Sequence, residues 1–230
     1  MPDVRRELIA VAQSAASAGL MPGRSGNVSC RFDKDEQPGF YVTPSGMAYE
    51  DLTVDAIPWV SLSGEWDETE GLRPSSEWRL HRDLYANRPD VGAALHAHSP
   101  YATALACLRR EIPPFHYMIA RFGGDTVRCA PYAPFGSQAL SNGAAEALRD
   151  RSACLLANHG MVVCASDLKT ALLLGQELET LCQQYALACQ IGEPSCLTPE
   201  EMTDALARFQ TYSHGLADGN VFARQHEGIP

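Results

Sequence analysis

Apolar residues recur at helical spacing at the start of the chain. Val4, Leu8, Val11, Ala12 and Ala15 fall on one face, Asp3 stands as a cap, and Gly19 ends the run. The period then shortens. Val28 to Phe32 alternates as a strand, Asp33 to Gly39 reads as a hairpin loop, and Phe40 to Thr43 as the return strand. Thr43-Pro44-Ser45-Gly46 forms a second turn, and residues 57–62 a further short strand. Pro74-Ser75-Ser76-Glu77 opens a helix to about Asn87, packed through Trp78, Leu84 and Tyr85. A strand over 91–98 leads into a helix that Ser99 caps and Pro100 starts. Residues 112–135 carry four prolines and read as irregular. A helix over 137–149, a strand from Ala153 to Ala157, a turn at Asn158-His159-Gly160 and a strand from Met161 to Ala165 follow. Asp167 then caps a long helix to about Gln190, and Thr198 another to about Tyr212.

Hairpins dominate the first half, so the pattern predicts a mixed, largely antiparallel sheet covered by helices. With no repeat and no linker, residues 1–212 read as a single domain, and 213–230 as a tail of poorly ordered composition. A net charge of −10 argues against nucleic acid and anionic membranes as partners. The five-residue apolar run near the N-terminus is too short for a secretory signal, and no stretch has the apolar length of a membrane span. The eight cysteines include no CxxC pair and mostly lie within apolar segments, so they read as small core residues or surface thiols. A cytoplasmic location is expected.

Candidate chemistry centres on Val91 to Pro100. On a strand, His96 and His98 project from one face with Cα atoms roughly 7 Å apart, close enough to share a metal ion. Two buried structural histidines would show the same spacing. His159, in a turn after a buried-looking strand, raises the set to three, the ligand count of an open catalytic metal site. His81, His116, His214 and His226 lack such a setting. Glu77 stands early in a helix, where a carboxylate suits the helix dipole in any case. Ser75 and Ser76 beside it, with the turns at Gly26-Asn27 and Ser45-Gly46, offer three amide-rich loops able to cradle a phosphate.

Ser25-Gly26-Asn27-Val28-Ser29, Thr43-Pro44-Ser45-Gly46, Pro74-Ser75-Ser76-Glu77-Trp78, His96-Ala97-His98 and Asn158-His159-Gly160 occur in that order. His116 to Ala120 and Cys129 to Gly136 add to them. Together these motifs resemble the class II aldolase/adducin family, in the branch that acts on L-fuculose 1-phosphate, over nearly the whole chain. The resemblance implies a three-layer α/β/α fold with a central, mainly antiparallel mixed sheet, and a homotetramer with interfacial active sites. It implies one divalent metal ion per subunit on His96, His98 and His159, with Zn2+ expected and Mn2+ or Co2+ as alternatives. Glu77 is implied as the acid/base, and Gly26, Asn27, Ser45, Gly46, Ser75 and Ser76 as the phosphate site. Tyr117 is implied to reach a neighbouring subunit's site as a proton donor to the leaving aldehyde.

The expected reaction is retro-aldol cleavage of a ketose 1-phosphate, either L-fuculose 1-phosphate or a related deoxy-pentulose 1-phosphate. The products are dihydroxyacetone phosphate and a small aldehyde. Breaking C3–C4 leaves electron density that a Lewis acid stabilises, and a nearby carboxyl can protonate C3. A sugar-phosphate 4-epimerase, a methylthioribulose-phosphate dehydratase and a non-catalytic adducin-like binding module are the alternatives. Glutamate rather than aspartate at 77 favours the aldolase over the epimerase. Arg24 beside the first loop and the long tail depart from the family pattern.

Overall fold

The computed structural model describes residues 3–66 and 72–211. Among these, seven strands form one sheet: β1 (Asn27–Arg31), β2 (Gly39–Val42), β3 (Trp59–Ser61), β4 (Ala93–Ala97), β5 (Arg128–Ala130), β6 (Ala153–Leu156) and β7 (Gly160–Ala165). Their order is β3-β2-β1-β4-β7-β6-β5, and every pair is antiparallel except β5 with β6. Six α-helices accompany them: α1 (Val4–Ser17), α2 (Trp78–Asn87), α3 (Pro100–Ala106), α4 (Gln138–Ala147), α5 (Leu168–Ile191) and α6 (Pro199–Thr211).

The apolar residues divide into two clusters, one on each face of the sheet. Leu8 of α1, Ala102 of α3 and Leu178 of α5 pack with Val28, Leu95 and Val163. Leu80 and Leu84 of α2 and Leu140 of α4 pack with Phe40, Ala94 and Val162. Strand residues alternate between the two clusters, as a two-sided sheet requires. This is the expected three-layer α/β/α architecture. With helices on both faces, a polar side chain on a central strand is buried and needs a partner. Asn27, Ser29 and His96 are in that position.

The caps follow the sequence where the side chain is free to bond locally. Asp3 accepts from the Arg5 amide, Ser137 from Leu140, and Asp167 from Thr170. Thr198 and Glu201 bond reciprocally in a capping box. Ser99 behaves differently from expectation. It occupies the cap position of α3, but its hydroxyl donates to Glu179 of α5, 2.6 Å away. The Glu179 carboxylate itself takes the amides of Tyr101 and Ala102 at 2.8 and 2.9 Å. A charged acceptor from another helix has displaced the local cap.

One further expectation is corrected. Residues 112–135 are not irregular throughout: Tyr117–Phe122 forms a 3₁₀ segment, and Arg128–Ala130 is β5, joined to β6 through α4. A three-residue strand is too short to show a period. Of the cysteines, Cys30, Cys154, Cys164 and Cys182 are buried, whereas Cys107, Cys189 and Cys196 are exposed at helix ends and in loops. The tail from 213 lies outside the described residues. No described helix is long and apolar enough to cross a membrane.

Candidate active site

Strand register places His96 directly opposite Asn27 of β1. His98 follows just beyond β4, and His159 enters from the turn between β6 and β7. The three imidazole centroids are 4.8 Å apart pairwise. Glu77, at the start of α2, closes the set, with Oε2 3.1 Å from His96 Nε2 and Oε1 3.3 Å from His159 Nε2. One donor atom from each of the four residues lies within 4.8 Å of all the others.

The chemistry of this donor set fits a divalent cation. His96 Nδ1 is 2.9 Å from the Met161 carbonyl, which can only accept, so the neutral ring carries its proton on Nδ1. Its Nε2 then turns a lone pair toward His98 Nε2 at 3.0 Å and Glu77 Oε2 at 3.1 Å. Glu77 Oε1 is buried and makes no hydrogen bond. Lone pairs converge on one point, and an orphaned carboxylate oxygen sits beside it. A cation with nitrogen and oxygen preferences satisfies both, as in three-histidine sites. The Met161 carbonyl fixes the tautomer that leaves Nε2 free for it.

The same closeness couples the four side chains electrostatically. Burial alone would raise the Glu77 carboxyl, but His96, then His159 and the Asn27 amide, hold it down to about 2. Burial opposes a charge on His96, yet the adjacent Glu77 carboxylate outweighs it and raises that ring above its ordinary value. His98 is pushed down to about 4 by burial and by His96 and His159, and His159 is lowered by burial and then His96. Glu77 is therefore an anion, and of the three rings only His96 has its value raised.

The three loops meet around a cavity of about 400 Å³ that reaches Glu77, His98 and His159. Gly26, Asn27, Ser45, Gly46, Ser75 and Ser76 all line it. The second and third loops are tied by Ser45 N–H to the Arg73 carbonyl and Ser75 N–H to the Thr43 carbonyl, at 2.9 and 3.1 Å. The Tyr49 hydroxyl, 2.8 Å from the carbonyls of both Ser25 and Gly26, anchors the first. Gly26 and Gly46 have positive φ, +86° and +75°, as such turns require. Arg24 is the one Lys or Arg among the described lining residues, and it donates to the Gly46 carbonyl at 2.9 Å. Tyr132, Phe135 and Asn158 also line the cavity.

A buried polar chain underlies the site. Asn27 Nδ2 is 2.9 Å from Ser75 Oγ and 3.1 Å from Glu77 Oε2, and its Oδ1 is 2.5 Å from His81 Nε2. His81 Nδ1 is 2.6 Å from Ser29 Oγ, which is 2.7 Å from the Tyr85 hydroxyl. Sequence reasoning passed over His81, Ser29, Tyr85 and Tyr49. The signal for the first three was present: Glu77, His81 and Tyr85 recur every four residues, and Asn27 and Ser29 every two, one stripe on each element. His81 is fully buried, and burial pushes its ring down to about 3.

Tyr117 is not brought to this cluster. It is half exposed, stacked on His116 at 4.8 Å between centroids, and lines a separate cavity of about 650 Å³ with Met118, Arg121 and residues of α6.

The family profile described as Class II Aldolase and Adducin N-terminal domain matches residues 6–186. The chain is 44% identical over 209 residues to a 5-methylthioribulose-1-phosphate/5-deoxyribulose-1-phosphate aldolase of Rhodospirillum rubrum, covering 91% of this chain and 92% of the relative. It is 42% identical over 208 residues to an L-fuculose phosphate aldolase of Escherichia coli, covering 90% and 94%. A solved L-fuculose 1-phosphate aldolase superimposes with a TM-score of 0.85 at 40% identity, over 91% of this chain and 97% of that one.

Proposed function

The chain belongs to the class II aldolase/adducin family, and from that premise we propose that it cleaves a ketose 1-phosphate to dihydroxyacetone phosphate and a small aldehyde. The substrates that the relatives' names suggest are 5-methylthioribulose 1-phosphate or 5-deoxyribulose 1-phosphate, and L-fuculose 1-phosphate. The observation that carries the reading is the opening of the Glu77–His98–His159 cluster into the cavity that the three amide-rich loops enclose. A phosphate on the loops and reacting carbons at the cluster are thereby held in one cavity.

His96, His98 and His159 hold the metal in this reading, Zn2+ in the first place, and Glu77 lies beside it. The bound cation supplies Lewis-acid polarisation of the substrate's oxygens. Backbone amides of the loops, with Ser45, Ser75 and Ser76, bind the phosphate and fix the sugar's orientation. Glu77 is ionised, so in the condensation direction it takes the proton from C3 of the three-carbon fragment, and in cleavage it first takes up a proton from solvent and then gives it to C3. The C4 hydroxyl gives up its proton as its carbon becomes the aldehyde. Tyr117, from the neighbouring subunit of a homotetramer, is the proton donor to the aldehyde oxygen in condensation, and in cleavage its hydroxyl passes the C4 hydroxyl's proton on to solvent. Residues 1–212 form the single aldolase-like domain of this cytoplasmic enzyme.

The test is incubation of metal-loaded protein with ketose 1-phosphates varied at C4, C5 and C6, coupled to detection of dihydroxyacetone phosphate. Its release from one or more of them is expected. C4 inversion without cleavage would identify an epimerase, loss of water a dehydratase, and no turnover with retained phosphosugar affinity a binding module.

A further inference from the structure

The buried chain that ends on Glu77 has only one consistent direction. The Glu77 carboxylate can accept but not donate, so the Asn27 atom 3.1 Å from it is the amide nitrogen. Asn27 Oδ1 therefore faces His81 Nε2, which must carry a proton. With the ring neutral, Nδ1 is bare and must accept from the Ser29 hydroxyl. Ser29 has then used its proton, so its oxygen accepts from Tyr85. Each choice follows from the one before, from Glu77 back to Tyr85. The opposite tautomer would turn the Asn27 carbonyl toward Glu77, setting an acceptor against a buried carboxylate. Asn27, Ser29, His81, Tyr85 and Glu77 are all buried.

We infer that His81 is a positioning residue for this enzyme: its Nε2–H locks the Asn27 amide so that the Asn27 nitrogen donates to Glu77 and to Ser75. The inference rests on Glu77 being the acid/base of the proposed reaction. Asn27 joins both functions of the cavity through one amide group, since Nδ2 reaches the proton-transfer carboxylate and a hydroxyl of the phosphate loop. Left unheld, that amide is free to turn, and Glu77 loses its aim. His81 reaches the substrate only through Asn27.

The closing experiment reads the tautomer and the kinetics separately. In metal-loaded wild-type protein with 15N-labelled histidine, the proton of His81 is expected on Nε2. A proton on Nδ1 would overturn the inference, and this measurement needs no variant to fold. His81→Leu removes the donor and is expected to lower kcat about ten- to a hundredfold, the loss of a hydrogen bond that orders a charged group, with KM within about threefold. His81→Gln returns an N–H near the Nε2 position and is expected to recover most of kcat. A merely structural histidine would show no such rescue. Equal kcat for the Leu and Gln variants, both folded, refutes positioning. If the wild-type protein cleaves no ketose 1-phosphate, the function fails while the tautomer result stands on its own.

Discussion

Alanine at Gly26 and at Gly46 separates two demands that the phosphate loops place on glycine. Both positions have positive φ. A Cβ at Gly46 meets nothing within 4 Å, so Gly46→Ala carries only the left-handed backbone strain, about 1 kcal/mol. A Cβ at Gly26 would stand 2.6 Å from the His96 carbonyl oxygen and 3.0 Å from the Met21 side chain. Met21 can give way. The carbonyl belongs to the central strand β4, and it cannot retreat without disturbing the Asn27–His96 pairing with β1. Overpacking against such a wall costs about 1–3 kcal/mol more, which brings Gly26→Ala to about 2–4 kcal/mol. At about 2–4 °C per kcal/mol for a chain of this size, Tm falls by about 2–4 °C for Gly46→Ala and about 4–16 °C for Gly26→Ala. Thermal and denaturant unfolding of chelator-treated protein measure the difference. Metal titration should show weaker binding in Gly26→Ala alone, because the displaced carbonyl carries His96 with it. Equal destabilisation of the two variants would refute the close approach of loop and strand.

Three other outcomes are expected. Glu77→Gln keeps about one metal ion per chain on the three histidines, yet loses roughly a hundredfold or more in kcat, the scale of general acid–base catalysis; metal analysis and initial rates check this, and an unchanged rate removes Glu77 from proton transfer. Metal affinity falls with acidification: below the raised value of His96 the cation must displace one proton, so affinity drops by about tenfold per pH unit, and the slope steepens as His98 begins to protonate near about 4. Competition with a chelator of known affinity between pH 5 and 7.5 tests the sign, and a flat profile refutes it. Arg24→Ala raises KM for the phosphorylated substrate about two- to fivefold at unchanged kcat, the size of an exposed ion pair, and added salt narrows the gap; identical KM values would leave Arg24 a loop brace bonded to Gly46.

Much of this molecule is legible from residue order because its elements announce themselves locally. Asp3, Asp167 and Thr198 cap where the pattern places them, and the alternation from Val28 marks β1. The histidines of the site are legible for a related reason: spacing by two on a strand guarantees one face. What is hidden depends on contacts between distant segments. Ser99 loses its capping role to Glu179, eighty residues later, and nothing near Ser99 foretells it. β5 has three residues and exists only because β6 lies beside it. His81 looks like any helical histidine until α2 is laid on β1. The residues that the family resemblance names, Tyr117 apart, gather around one cavity and one cluster, but the resemblance does not name the chain of bonds behind Asn27.

That chain depends on a match between two periods. Four residues of helix rise about 6 Å, and two residues of strand advance about 6.7 Å. The stripe Glu77, His81, Tyr85 therefore keeps step with Asn27, Ser29 when α2 runs along β1 in the same sense. Each strand side chain falls between two from the helix: Asn27 between Glu77 and His81, Ser29 between His81 and Tyr85. Leu80 and Leu84, next to the stripe, join the apolar cluster with Phe40 of β2 and Ala94 of β4 and so hold α2 against the strands that flank β1. A covered sheet forbids unpartnered polar side chains on its strands, so Asn27 and Ser29 had to be answered from the helix above them. The answer carries an orientation through four hydrogen bonds to Glu77, the one carboxylate of the His96, His98 and His159 cluster. In the proposed reaction the acid/base is thus aimed by a strand and a helix, while the loops and their glycines are left to receive the phosphate.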